Sequence, residues 1–392
     1  MQRSSRLRKL AADERGFSLV FVGLGCLAFV AASMLAIDVG MLITSRSQAQ
    51  NSADAGALAG ATALAYDNWD DRTESGPAVV NALSGARANT VQGGTVTVGA
   101  ADVTFPLDPV SGDANRVRVT VRKTVSTLIA KYFGIETADV VAVATAEAAA
   151  ANAMTCVKPF TIPDKWTERQ NPPWDASDTF DRYKKSGGTV NVIANPDVYV
   201  PQYDGAGAPN PGYTGYNTEA NRGIQLVLRA STGTNIMPSF FFSLAMTGDT
   251  GGSDYDWNIA NCNTSIYKWG DPLVQEPGNM VGPTIQGITA LIAKDPGAYW
   301  DTSTNGVKNS AFPERKSPRI FPIPLFDPDY YDYGKQTGRV ASLITANWIG
   351  YFVERIQGSS DIYGRIIPIG GIRDKTSPKG TASMPKVIRL VE

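Results

Sequence analysis

From residue 17 to residue 37 no side chain carries a charge, and Leu, Val, Ala, Phe and Ile fill most positions. At about 1.5 Å per helical residue the run matches the roughly 30 Å hydrocarbon layer of a bilayer. Backbone in lipid must satisfy its own N–H and C=O groups, so the pattern predicts a helix that crosses once. Arg3, Arg6, Arg8, Lys9 and Arg15 precede it against Asp13 and Glu14, and only Arg46 follows closely. That bias predicts a cytoplasmic N-terminus and an exported body. A signal peptide shares the basic start and apolar centre. However, this run is longer than the usual apolar core of roughly 7–15 residues, and helical sequence continues beyond it. The expected layout is a basic cytoplasmic segment over 1–15, a retained span over 16–43 and a helical stalk over 44–66.

Small residues recur every fourth position within the span, at Ala28, Ala32, Ala36 and Gly40. This spacing lets membrane helices approach closely. The step continues in the stalk at Ala49, Ala53, Ala57, Ala61 and Ala65, with Gln48, Gln50, Asn51 and Asp54 between them. Such a stripe suits a neighbouring helix, a second copy included, or the chain's own body; one face cannot serve both. Asp38 sits at the outward end of the span. It is either an interfacial carboxylate meeting headgroups and water or a polar handle for a partner helix.

Beyond the stalk, residues 67–76 are polar and acidic and end the helix. Residues 77–89 predict a second helix, with Pro77 in its first turn and Val79, Val80, Leu83 and Ala86 on one face. Short strands are expected over 95–98 and 103–105. The clearest strand is 116–125, where Val117, Val119, Val121 and Val125 alternate with Arg118, Thr120 and Arg122. A short helix over 128–133 should stop at Gly134, and 140–147 returns as a strand. Residues 67–150 thus predict a small α+β module, joined by the alanine run 148–153 to a β-rich domain over 151–392. There, 223–229, 239–246, 319–326 and 362–369 are strand-like, 284–294 is helical, and 340–356 fits either period. Residues 276–283 form a constrained loop, and 387–391 an edge strand. The predicted class is a membrane-anchored α+β protein: one N-terminal helix, a stalk, a small α+β module and a Gly/Pro/Asn-rich exported domain.

Composition narrows the chemistry. There is no histidine, which removes Ser–His–Asp and Cys–His nucleophile arrangements and imidazole zinc sites. No Walker A loop or dinucleotide fingerprint is present. The net charge of −1 offers no broad basic face for nucleic acid. No cofactor and no catalytic residue is expected. The acidic glycine loop with Asp249, Asp254 and Asp256 reads as turn chemistry, since its spacing is not that of an EF-hand. Cys26 lies in the span. Cys156 and Cys262 both fall in the exported part, where an oxidising compartment favours their pairing.

Three stretches resemble the N-terminal region of TadE/TadG-like proteins of Flp (tight-adherence) pilus assembly. They are Arg15-Gly16 before the span, Ile37-Asp38-Val39-Gly40 at its end, and Gln50-Asn51-Ser52-Ala53-Asp54-Ala55 with the alanines behind it. The likeness is strong over about the first 66 residues and looser to Ala150, through Phe133-Gly134 and Ala144-Thr145-Ala146-Glu147. It implies an inner-membrane protein with a periplasmic bulk that assembles with other pilus-assembly membrane proteins. Larger members carry a von Willebrand A-type domain with a metal-binding D-x-S-x-S. The nearest strings here begin at Asp175 (with Ser177 and Thr179) and Asp301 (with Ser303 and Asn305). Neither follows a buried apolar strand, so no such domain or metal is assigned. Gly16-Phe17 is similar to the pilin cleavage point, but Phe21 stands where a mature pilin has Glu. A structural assembly role is the leading expectation. A processed pilin-like subunit and a tethered enzyme or ligand-binding protein are the alternatives.

Overall fold

The computed structural model describes residues 14–391, apart from 69–70, 110–111, 113, 205–207, 209, 232, 247–249, 314, 338–342, 359–360, 375 and 377–383. Residues 1–13 of the expected basic segment over 1–15, Asp249 and the start of 340–356 lie outside the described residues.

One unbroken helix, α1 (Glu14–Tyr66), carries the apolar run and the alanine-rich run together. At about 1.5 Å per residue it is roughly 80 Å long. Its first half has exposed side chains wherever they are described, up to Ile37; burial begins at Asp38 and becomes regular from Ser45. Against the second half lie α2 (Pro77–Arg87) and the strands β1 (Val103–Thr104), β2 (Arg116–Ser126) and β3 (Thr137–Ala150). On β2 the valines point to the helices and the arginines outward, as the alternation predicts. The short helix expected at 128–133 is a 3₁₀ turn over Ala130–Phe133, stopped by Gly134 with φ +86°, where a Cβ would be strained.

The chain then builds a second unit from β4 (Phe160–Pro163), β5 (Gln225–Ala230), β6 (Phe240–Ser243), α3 (Gly252–Ala260), β7 (Pro272–Leu273) and α4 (Val281–Ala293). It continues through β8 (Ile320–Phe326), α5 (Pro328–Thr337), β9 (Leu343–Gln357) and β10 (Asp361–Ile367). The order β9-β8-β4-β6-β5-β10 closes on itself because β10 also pairs with β9, and β7 adds to the outside of β9. The result is a six-stranded barrel of mixed direction, with β4–β8 and β5–β6 parallel. Phe160, Ile162, Phe241, Ile323, Ile349, Tyr351 and Ile366 fill its core, and α3 and α4 add Ile259, Ile288 and Leu291. Closure removes free sheet edges, which suits a domain with short strands and many turns.

The chain finally returns to the first unit. β11 (Ile369–Gly370) and β12 (Pro385–Val391) complete a five-stranded sheet of order β11-β12-β3-β2-β1. Here the sequence expectation holds for the edge but not for the sheet: 387–391 pairs with β3 of the first sheet, with Ile388 opposite Ala148, and β11 flanks the strand only at Pro385 and Lys386. For the same reason Ala148, Ala149 and Ala150 are strand and not a joint. The acidic glycine loop differs from expectation, since it contains helix α3, which holds Asp254 and Asp256. Residues 328–337, outside every expected element, are helical, and within the stretch 340–356 that fits either period the described residues are strand. On α2 the buried face is Ala78, Val79, Ala82 and Ala86, while Val80 is half exposed. Small side chains on that face let α2 lie against α1.

Candidate functional site

The features that set this chain apart run along α1, from its bare apolar half to its outer end. Ala28, Ala32, Ala36 and Gly40 are exposed, and none of the described residues of the chain's own body lies over them. Ala49, Ala53, Ala57 and Ala61 are fully buried in the core that α1 shares with α2 and the sheet. The stripe is thus divided: its outer part is consumed within the chain, and its inner part is bare. Gly56, Gly60 and Gly85 make this packing close. A Cβ at Gly85 would lie 2.8 Å from the Ala55 carbonyl oxygen, and one at Gly56 2.9 Å from that of Ala82. The Gly56-x-x-x-Gly60 spacing in the sequence carries this signal, and the alanine reading passed over it.

Gln48, Gln50, Ser52 and Asp54, set among the alanines, bond within the chain itself. Gln50 Nε2 donates to Asp54 Oδ1 (2.8 Å) and to the Val143 carbonyl (3.0 Å). Gln48 Oε1 accepts from the Gln92 backbone N–H (2.9 Å), and Gln92 Nε2 donates to Ser45 Oγ (2.8 Å). Ser52 Oγ donates to the Ala86 carbonyl.

Asp38 finds its hydrogen-bond partners within the chain. Its carboxylate accepts the backbone N–H groups of Leu128 (2.7 Å), Ile129 (3.1 Å) and Ala130 (2.6 Å) at the tip of the β2–β3 hairpin. Three consecutive amides entering a 3₁₀ turn have no partner within the turn, and a carboxylate satisfies them with charge-assisted bonds. The contact spans ninety residues of sequence, so nothing local announces it.

At the far end of α1, Tyr66 donates to the Lys386 carbonyl (3.2 Å), and the Arg315 guanidinium lies 5.1 Å from the centre of its ring. Burial pushes the Tyr66 phenol up to about 12, against the opposing pull of Arg315. Arg315 also pairs with Asp67, and Arg222 donates to the Asp67 carbonyl (2.6 Å). Tyr66, Asp67, Arg222 and Arg315 wall a cleft of about 420 Å³ where the barrel meets the helix end. Within the sheet, buried Glu147 accepts from Arg116 on β2 (3.1 Å) and from Arg389 on β12 (2.7 Å), tying the returning strand to the first unit.

In the barrel unit, Cys156 and Cys262 form a disulfide across a separation of 106 residues. Nearby, buried Lys158 donates to the Asn261 carbonyl (2.5 Å); burial, with Lys294 adding to it, pushes its ammonium down to about 7. Burial likewise pushes the Asp164 carboxyl up to about 6, although Tyr213 and Tyr199 donate to it at 2.7 and 3.1 Å and two backbone N–H groups at 3.0 and 2.9 Å. Those four donors occupy a carboxylate with no exposed surface, which makes Asp164 a core support. Asp175 and Asp301 each turn a carboxylate oxygen back to the N–H and hydroxyl of the serine two residues on. Among the described residues, no three potential metal ligands gather.

Residues 16–63 match the family of Flp pilus-assembly TadE/G-like proteins, and residues 40–146 match that of Tad-like Flp pilus-assembly proteins. The two matches run continuously from the apolar half of α1 through β3 and cover a third of the chain. They identify this region as that of a TadE/TadG-like Flp pilus-assembly protein, and they support a role in pilus assembly with other components of that machinery. No curated protein and no solved structure matches the chain.

Proposed function

We propose that the protein is a structural assembly component of a Flp-type pilus or related surface-secretion machinery, held in the inner membrane by residues 16–43 with residues 44–392 in the periplasm. The observation that carries this reading is the continuity of α1. One rigid helix joins an apolar half that none of the described residues covers to the sheet unit that shares the Tad-like match. An apolar surface of this length left bare in water would aggregate, and lipid is the solvent that suits it. The bare small residues Ala28, Ala32, Ala36 and Gly40 lie within this stretch, at the spacing that suits a second copy or another pilus-assembly membrane helix. The role is scaffolding rather than catalysis. Its parts are a membrane rod, a sheet unit built on the rod and a disulfide-bearing barrel beyond it.

Alkaline phosphatase, active only outside the cytoplasm, provides the test when fused after residue 150. Activity of the fusion, together with loss of surface fibres on deletion of the chain, is the expected result. An inactive fusion, with a fluorescent protein at the same site folding in the cytosol, would refute the topology. N-terminal sequencing of the mature protein adds a second check: a chain starting at Met1 is expected, whereas one starting at Phe17 would make it a processed subunit.

A further inference from the structure

The hairpin that Asp38 holds is unusual for a turn between strands. Such tips in water favour Gly, Asn, Asp and Ser. This one carries Leu128, Tyr132, Phe133 and Ile135, whose relative exposures are 48%, 77%, 69% and 57%. The only charge on the turn itself is Lys131, whose ammonium lies 5.3 Å from the centre of the Tyr132 ring.

The position of the tip is fixed by the helix beside it. Exposed large apolar side chains run along α1 from Leu19 through Val39 to Ile43, and the exposed polar series starts at Thr44 and Arg46. Asp38 holds the tip five residues before Ile43, about 7.5 Å deeper along the axis. From that level β3 runs toward the outer end of α1: Val143 meets Gln50, and Lys386, paired with Ala150, meets Tyr66. Twenty-eight helical residues from Asp38 and the thirteen strand steps of β3 both span about 42–43 Å, so the two keep pace. The hairpin tip is thus the end of the sheet unit nearest the apolar half of α1, and its bare side chains continue the bare surface of the helix.

We infer that residues 128–135 form an interfacial foot: Leu128, Tyr132, Phe133 and Ile135 enter the headgroup–acyl boundary of the bilayer that α1 crosses, and Lys131 meets lipid phosphate. Aromatic rings and a snorkelling lysine suit that boundary. A single crossing helix leaves the outer body free to tilt and rotate. A second contact, clamped to the first through Asp38, fixes the height and orientation at which the sheet unit and barrel stand above the membrane. This inference rests on the reading that 16–43 spans the bilayer, and the test separates the two.

The disulfide leaves Cys26 as the single free thiol. Full-length protein in phosphatidylethanolamine/phosphatidylglycerol nanodiscs is labelled with an environment-sensitive fluorophore in three forms: on Cys26; on Tyr132→Cys in a Cys26→Ser background; and on Val192→Cys in the same background. Val192 is exposed on a strand of the barrel unit. Lipids spin-labelled near the glycerol or near the chain end act as quenchers. The foot predicts loss of most emission at residue 132 with the shallow quencher, at residue 26 with the deep one, and at residue 192 with neither. A label at 132 that escapes both quenchers while Cys26 is quenched overturns the foot and leaves the anchor standing. If that label is also shielded from aqueous iodide, a protein covers the tip, which equally overturns it. An unquenched Cys26 overturns both readings.

Discussion

Gly60 sits where α1, α2 and β2 converge, and a single added methyl there isolates the closeness of that packing. In Gly60→Ala the new Cβ would stand 2.8 Å from Val117 Cγ1, 3.0 Å from Ala82 Cβ and 3.1 Å from the Ala78 carbonyl oxygen. Carbon atoms in contact prefer about 3.5–4.0 Å, so all three neighbours must yield. Two of the three, Ala82 Cβ and the Ala78 carbonyl, belong to or stand directly on the α2 backbone, which cannot swing aside as a long side chain would. Overpacking of this kind costs about 1–3 kcal/mol. Opposing it, alanine gains about 0.8–1.0 kcal/mol over glycine in a helix interior. The net expectation is a loss of about 0–2 kcal/mol. Gly40→Ala, on the same helix with nothing within 4 Å of its Cβ, receives the propensity gain alone. The decisive quantity is the difference between the two variants, from which propensity cancels: about 1–3 kcal/mol. Hydrogen exchange of peptides from residues 77–150, followed across a guanidinium series on the detergent-solubilised full chain, reads the stability of this unit. If Gly60→Ala protects those peptides as well as Gly40→Ala does, α1 and α2 do not pack this closely and the argument fails.

Asp38→Ala should accelerate exchange at the amides of Leu128, Ile129 and Ala130, and Asp38→Asn should do so less, because one oxygen acceptor remains; unchanged exchange would show that the hairpin is held by something else. Cys156→Ser should abolish the faster migration on non-reducing gels and, with 106 residues between the partners, cost about 4–5 kcal/mol in the chain-entropy account. Equal migration of reduced and unreduced wild type would count against the bond. Lys158 supplies a pH test. Its ammonium is pushed down to about 7 by burial from an ordinary value of 10.5, so between those limits the unfolded chain binds more protons than the folded one. Stability should therefore rise with pH across that window, by up to about 1.4 kcal/mol per pH unit from this group. Lys158→Met should flatten that part of the profile, and a wild-type slope that survives the substitution would refute the assignment.

The sequence by itself determined the elements whose cause is local. The uncharged run to Ile37 and the alanines behind it specify one long helix, because both favour helical backbone whether the solvent is lipid or a protein core. Alternating valines specify β2, Gly134 ends the 3₁₀ turn where φ must be positive, and the compartment implied by the span brings Cys156 and Cys262 into consideration as a pair. What the tertiary structure decided were the partners of these elements. Ala53 and Ala57 present a smooth stripe with two possible occupants, and only packing shows that α2 and the sheet of the same chain take it. Asp38 is a carboxylate at the end of an apolar run until a hairpin ninety residues away brings it three unpaired amides. The same limit hid the barrel closure between β9 and β10 and the return of Pro385–Val391 to the first sheet. A strand's hydrophobic period records which face is buried and carries no information about which neighbour supplies its hydrogen bonds.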